Sequence, residues 1–176
     1  MKHLILPLIF FLIGTASLLG QTQQGNHFVG GQFRLENLFR EGNDLFSIGL
    51  SPDYAYFVFD NLAVGARADL QYIRSGGEDL FSFVGIPFAR YYIPGQSRTR
   101  FYLGAGVGGG FVSVEGSTQG SFRWDVGPGV NFFVNEHVAL EAELYYEGVS
   151  REQSDYVSNV GLRMGFQVFL FKTEDE

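Results

Sequence analysis

Between Phe28 and Phe171 the chain keeps a two-residue rhythm in which apolar side chains alternate with glycine, polar or charged ones. Successive side chains of a β-strand point to opposite faces, so the rhythm predicts strands with one apolar and one polar face. From Val160 to Leu170 the even positions are Val160, Leu162, Met164, Phe166, Val168 and Leu170, while the odd positions include Gly161, Arg163, Gly165 and Gln167. A water-soluble barrel would turn the apolar set inward. Here that set is too large and too numerous for the narrow lumen of eight strands, which leaves the smaller, more polar set to fill it. This is the pattern of a barrel whose outer solvent is lipid.

Turn residues divide the rhythm into eight strand candidates, 27–36, 45–58, 62–73, 80–92, 100–113, 121–133, 138–148 and 156–170. An even count returns both ends to one side and lets the first and last strands pair, which removes the sheet edges. The predicted fold is all-β, an eight-stranded antiparallel up-and-down transmembrane β-barrel. Connections near Asp60, Gly95 and Asn135 belong to the periplasmic end, and those at 37–44, 74–79, 114–120 and 149–155 face outward. On 62–72, Leu62, Val64, Ala66, Ala68, Leu70 and Tyr72 face lipid, with Gly65, Arg67, Asp69 and Gln71 inside. On 138–147, Val138, Leu140, Ala142, Leu144 and Tyr146 face lipid. On 121–133, Phe122, Trp124, Val126, Val130 and Phe132 do so. Strand 80–92 stays open between two registers, because Pro87 is a candidate bulge.

The chain has 176 residues, enough for one domain, and no Cys, so its stability rests on the strands. Its formal charge of −7 argues against a nucleic-acid partner. A mean hydropathy of +0.04 is what alternation averages to and carries no membrane signal. Lys2 precedes an apolar run from Leu4 to Phe11 that continues to Leu19 and ends in small residues and the polar stretch Gln21 to Asn26. The run is short for a membrane span, and it reads as a signal peptide over 1–20, cleaved near Gly20. A short N-terminal segment, 21–26, then leads into the barrel, 27–171, with a C-terminal tail at 172–176.

The residues nearest to a site are the inward charges Arg34, Glu36, Asp53, Arg67, Asp69, Arg123, Asp125, Glu141, Glu143, Glu147 and Arg163. Eight strands leave room for side chains only, and buried charges of both signs pair, so these form a packed polar network rather than a conduit. Hairpin parity places Asp53 opposite Arg67 if 59–61 is the loop, and Arg123 opposite Glu147 if 134–136 is the loop. The glycines at 104, 106, 108, 109 and 110 alternate with apolar residues in a strand and lack the following helix of a phosphate-binding loop. After the leader only His27 and His137 remain, both at the periplasmic end. Neither has the serine and carboxylate partners of a hydrolase, and no closely spaced His or Cys pair suggests a metal. The aromatics Tyr54, Tyr56, Phe57, Phe59, Tyr91, Tyr92, Phe101, Tyr102, Phe132, Phe133, Phe169 and Phe171 share one level and read as an interfacial girdle.

The stretches Ser51 to Val58 with Asp60 to Gly65, Pro87 to Tyr92, and Asn131 to Phe133 through Val138 to Glu141 resemble the small outer-membrane β-barrel domain family of the Bacteroidetes type, related in architecture to the OmpA transmembrane domain. The resemblance covers nearly the whole chain after the leader and implies a barrel rather than a reaction. It also implies recognition of Val168 to Phe171 by the barrel-assembly machinery, as an internal signal followed by Lys172 to Glu176.

The reading is therefore an exported outer-membrane protein with a structural or surface-interaction role, no catalysis and no cofactor. Its partners are membrane lipids, lipopolysaccharide, the assembly machinery and an unidentified surface partner. Two alternatives come from other classes. One is a lipid-modifying enzyme using Ser75, Glu78, Ser150, Glu152 and Ser154 at the outer rim. The other is a soluble lipocalin-like carrier, which requires Leu162, Met164 and Phe166 to line the lumen.

Overall fold

The computed structural model describes residues 20–40, 43–75, 78–95, 97–114, 117–151 and 154–172, and in 34–45 and at a few strand ends the backbone only. Eight strands, β1 His27–Arg40, β2 Asn43–Phe59, β3 Leu62–Ser75, β4 Glu78–Tyr92, β5 Thr99–Val114, β6 Ser117–Phe133, β7 Val138–Arg151 and β8 Ser154–Leu170, form one closed antiparallel barrel in chain order. β1 closes on β8 from the His27–Leu170 pair to the Phe33–Met164 pair. Both described ends of the chain and the turns after β2, β4 and β6 share one end, called the terminal end below. The strands run 14 to 17 residues, longer than the roughly 9–11 that cross a bilayer. The far links are accordingly shorter than the sequence suggests. The pairs Arg40–Asn43, Ser75–Glu78, Val114–Ser117 and Arg151–Ser154 each bracket two residues, all of them outside the described residues.

Alternation sets the two faces. On β8, Leu162 and Met164 are 59 % and 61 % exposed while Arg163 between them is 3 % exposed. Leu140, Leu144, Phe166, Leu103 and Phe33 likewise stand outside, with Glu141, Glu143 and Gln167 inside. This excludes the inverted, lipocalin-like arrangement. Pro87 causes no bulge. The β3–β4 register runs unbroken from Leu62–Tyr91 to Ser75–Glu78 through an Ala66–Pro87 pair, with Pro87 exposed and Ile86 and Phe88 buried. A proline whose ring faces outward is accommodated there without a change of parity.

One hairpin keeps the expected register with a different turn, and another corrects it. Between β2 and β3 the turn is Asp60–Asn61, with Asn61 in the left-handed region at φ 65° and a register shift between Phe57 and Phe59. Asparagine tolerates that backbone conformation, and the bulge supplies the odd residue expected of a 59–61 loop. Asp53 does pair in register with Arg67. Between β6 and β7, the Asn135 side chain accepts from the backbone N–H groups of His137 (2.9 Å) and Val138 (2.7 Å), and Val134 N–H donates to the Val138 carbonyl. This Asx turn centres the loop on Glu136, one residue later than expected. The register moves by two, so Asp125 lies opposite Glu147 and Arg123 opposite Val149.

Cross-strand packing leans on glycine at a few points of close approach. Gly129 pairs with Tyr102 and Gly161 with Tyr145, and in each case the aromatic ring occupies the space a Cβ would take. Gly129→Ala therefore overpacks the lumen against Tyr102 and is expected to lower unfolding free energy by about 1–3 kcal/mol. Gly109→Ala, whose added Cβ has Ser121 O at 3.5 Å as its nearest neighbour, is expected to stay within about 0.5 kcal/mol of the parent. Urea unfolding in liposomes measures both.

Candidate functional site

The inward faces fill the lumen in two layers. At the terminal end the layer is aromatic. Phe28, Phe57, Phe88, Tyr92, Tyr102, Phe133 and Phe169 are buried together with Ala55, Ala63 and Ala139, and Phe171 packs against them. Ring centres lie 4.9 Å apart for Phe133–Phe169, 5.3 Å for Tyr92–Tyr102 and 5.4 Å for Phe28–Phe169, the separations at which tilted rings attract. The expected single girdle is thus two structures. Tyr54, Tyr56, Phe59, Tyr91, Phe101 and Phe132 are exposed on the outer wall, whereas Phe57, Tyr92, Tyr102, Phe133 and Phe169 are inside. Neighbouring aromatics in sequence point to opposite faces, so doublets such as Tyr91–Tyr92 and Phe132–Phe133 contribute one ring to each.

Above the aromatic layer sits Arg90, 2 % exposed and inward because β4 keeps its parity. Its guanidinium lies 4.9 Å from the Phe88 ring centre and 4.8 Å from that of Tyr102, which suits a cation over π-faces. It donates to both carboxylate oxygens of Glu141 at 3.1 Å and to Asp53 at 3.4 Å. Glu141 also accepts from the Tyr102 hydroxyl at 2.8 Å and from Gln32, whose amide reaches Glu143 as well. Asp53 thus bonds Arg90 rather than Arg67, its partner in register.

Arg67 instead turns to Asp69 (3.0 Å) and Asp125 (2.7 Å). Arg163 bridges Asp125 (3.1 Å) and Glu147 (3.5 Å), and Arg123 bridges Asp69 (2.9 Å) and Glu147 (4.0 Å). Three arginines and three carboxylates from β3, β6, β7 and β8 therefore close a ring of alternating sign across the lumen. Such mutually bridging geometry, with each carboxylate shared by two arginines, is what allows charges to stay out of water. The Arg163 guanidinium also lies 3.7 Å from the Tyr145 ring centre. Around Arg90 the balance differs, with Asp53, Glu141 and Glu143 sharing one arginine, and Arg163 reaching Glu143 at 3.8 Å.

Of the sequence candidates, Asp53, Arg67, Asp69, Arg123, Asp125, Glu141, Glu143, Glu147 and Arg163 are buried in this assembly. Arg34 and Glu36 pair in register with Gly49 and Ser47 on β2, and their side chains lie outside the described residues. Arg123 and Glu147 meet diagonally rather than directly across. Arg90 and Arg100 are inward arginines that sequence reasoning missed, as are the hydrogen-bonding Gln32 and Tyr102. Counting back in twos from Tyr92 would have found Arg90. Of the rim residues considered for catalysis, Ser150 is half-buried on β7, and Glu152 and the side chains of Ser75, Glu78 and Ser154 lie outside the described residues.

No protein-family model matches the chain, and no curated protein matches it in sequence. Among solved structures it is similar to Neisserial surface protein A, at 22% identity over 81% of this chain and 94% of that one with a TM-score of 0.56. It is also similar to outer membrane protein OprG of Pseudomonas aeruginosa, at 14% identity over 86% and 99% with a TM-score of 0.56. The N-terminal β-barrel domain of OprF from the same organism gives 15% identity over 84% and 98% with a TM-score of 0.53. The likeness is one of fold, the small eight-stranded barrel of outer-membrane proteins.

Removing Arg90 takes from the buried Glu141 and Asp53 the arginine with which both form ion pairs. Arg90→Ala is expected to cost about 3–5 kcal/mol of unfolding free energy, read by urea titration in liposomes. Arg74→Ala, which breaks a solvent-exposed 3.8 Å contact with Asp79, is expected to change it little.

Proposed function

We propose that this chain is an integral protein of the bacterial outer membrane, delivered there by its N-terminal signal peptide, with a structural or surface-interaction role and a closed interior. The outer wall supports the location. Its mid-height positions are apolar on all eight strands, with Tyr54, Tyr56, Tyr91 and Phe101 exposed toward the terminal end, where aromatic side chains suit the headgroup level. Among the described residues no helix is long and apolar enough to cross a membrane. Lipids and lipopolysaccharide are the partners this wall fits, and the assembly machinery is the partner its closing strand β8 requires.

The observation that carries the closed interior is the aromatic layer, in which Phe28, Phe57, Tyr92 and Phe169 are each 0 % exposed. It lies under the ion-paired ring, so a hydrated ion would have to displace rings and then break a salt-bridge network. Catalysis has no comparable support. His27 stacks against Tyr54 and Tyr56 on the outer wall, and the His137 ring lies 4.8 Å from Phe171.

Recordings from the purified barrel in planar bilayers test the closed interior. The parent protein is expected to insert without discrete conductance steps. A variant combining Phe57→Ala, Tyr92→Ala and Phe169→Ala, if it still folds to the heat-sensitive compact band on gels, is expected to be leakier. Regular steps from the parent protein would contradict the proposal.

A further inference from the structure

The segment Gly20 to Asn26 is docked on the terminal end by bonds that tie it to the β2–β3 hairpin and to the chain end. The Thr22 carbonyl accepts from Asn61 N–H (2.7 Å) and its hydroxyl donates to the Asn61 side chain (2.8 Å). Gln24 N–H donates to Asp60 (2.8 Å), and its side-chain amide donates to the Val58 carbonyl (3.0 Å). Gly25 N–H donates to the Phe57 carbonyl (3.0 Å), Asn26 accepts from Phe57 N–H (2.8 Å), and Lys172 N–H donates to the Asn26 side chain (2.9 Å). Gly20 enters through its carbonyl alone, which accepts from Gln23 N–H (3.3 Å) and the Asn26 side chain. The clamp that begins at Thr22 therefore persists without Gly20.

Within this segment Gln21 is 1 % exposed, whereas Gln23 and Gln24 are exposed, and the Gln21 Oε1 has no hydrogen-bond partner. Cleavage after Gly20 would place a new α-ammonium on the buried residue. An unpaired ion there is costly, and the carboxylate that the docked hairpin carries, Asp60, already accepts from Gln24. Lys172, whose stem packs over Gly25, brings a second positive side chain to the same corner.

We infer that the exported chain begins at Gln21 and that this residue is cyclised to pyroglutamate before the segment docks; the inference rests on the signal-peptide reading. A terminal glutamine removes its own charge. The α-nitrogen attacks the side-chain carboxamide carbon, a C–N bond closes a five-membered lactam, and the Cδ–Nε2 bond breaks. Nε2 leaves as ammonia, taking a proton from the attacking amine. The step needs no oxidant, reductant or co-reactant. It replaces an ammonium with a neutral ring that the terminal end can bury, and leaves no free α-amine for aminopeptidases.

Mass spectrometry of the protein isolated from its own bacterium's outer membrane, intact and as its N-terminal peptide, tests this directly. The expected result is a chain starting at residue 21 and lighter than encoded by one ammonia. A chain starting there at full mass overturns the cyclisation. A chain that starts elsewhere or keeps its leader overturns the reading beneath it, and the masses distinguish the two failures. In a Gln21→Ala variant the terminus stays charged, and proteolytic clipping within 21–26 is expected to accelerate while the barrel band persists. Unchanged clipping would overturn the coupling of cyclisation to docking.

Discussion

A strand has two faces, and in an eight-stranded barrel the inner one looks onto a space that only side chains can fill. Every inward residue must therefore be satisfied by another inward residue from across the lumen. The ring formed by Arg67, Asp125, Arg163, Glu147, Arg123 and Asp69 answers this requirement with charge, each arginine held between two carboxylates. The aromatic layer answers it with rings, and Tyr102 over Gly129 or Tyr145 over Gly161 answers it with matched size. Arg90 joins the two layers, its guanidinium lying near aromatic faces while its N–H groups bond Glu141 and Asp53.

The same constraint explains why the outer wall carries the hydrophobic residues. With the lumen occupied by polar groups and rings, Leu162, Met164 and Phe166 have nowhere to go but outside. An outer wall of that kind is stable only where lipid covers it, and a lipid environment in turn requires every backbone donor and acceptor to be paired within the sheet. Closure of β1 on β8 meets that demand beside the terminal end. Strand pairing, lumen filling and the apolar wall are thus three consequences of a single alternation.

Much of this was legible in the sequence wherever alternation ran without interruption. The faces of β3, β6, β7 and β8 follow from parity, and with them eight of the buried charged residues. Legibility failed where parity was interrupted or insufficient. Doubt over Pro87 hid Arg90, although the aromatic doublet at Tyr91–Tyr92 fixes the face of both. Treating aromatics by level rather than by parity merged the inner layer with the outer girdle. The register at Asn135 depends on a side chain capping its own turn, a local choice that shifts Arg123 by two residues while leaving its face unchanged. Which acid each arginine selects is decided across the lumen, by side-chain reach rather than by strand pairing, so Asp53 can face Arg67 in register and bond Arg90.

The most direct test of the account is the environment of successive β8 residues. The chain has no cysteine, so single cysteines can be placed at each position from Val160 to Gln167, spin-labelled, and probed in bilayers with a lipid-soluble and a water-soluble relaxation agent. The account predicts a period of two, with positions 160, 162, 164 and 166 open to the lipid-soluble agent and 161, 163, 165 and 167 shielded from it. Even positions that are shielded, or a strand without alternation, would contradict a barrel with its apolar face outward.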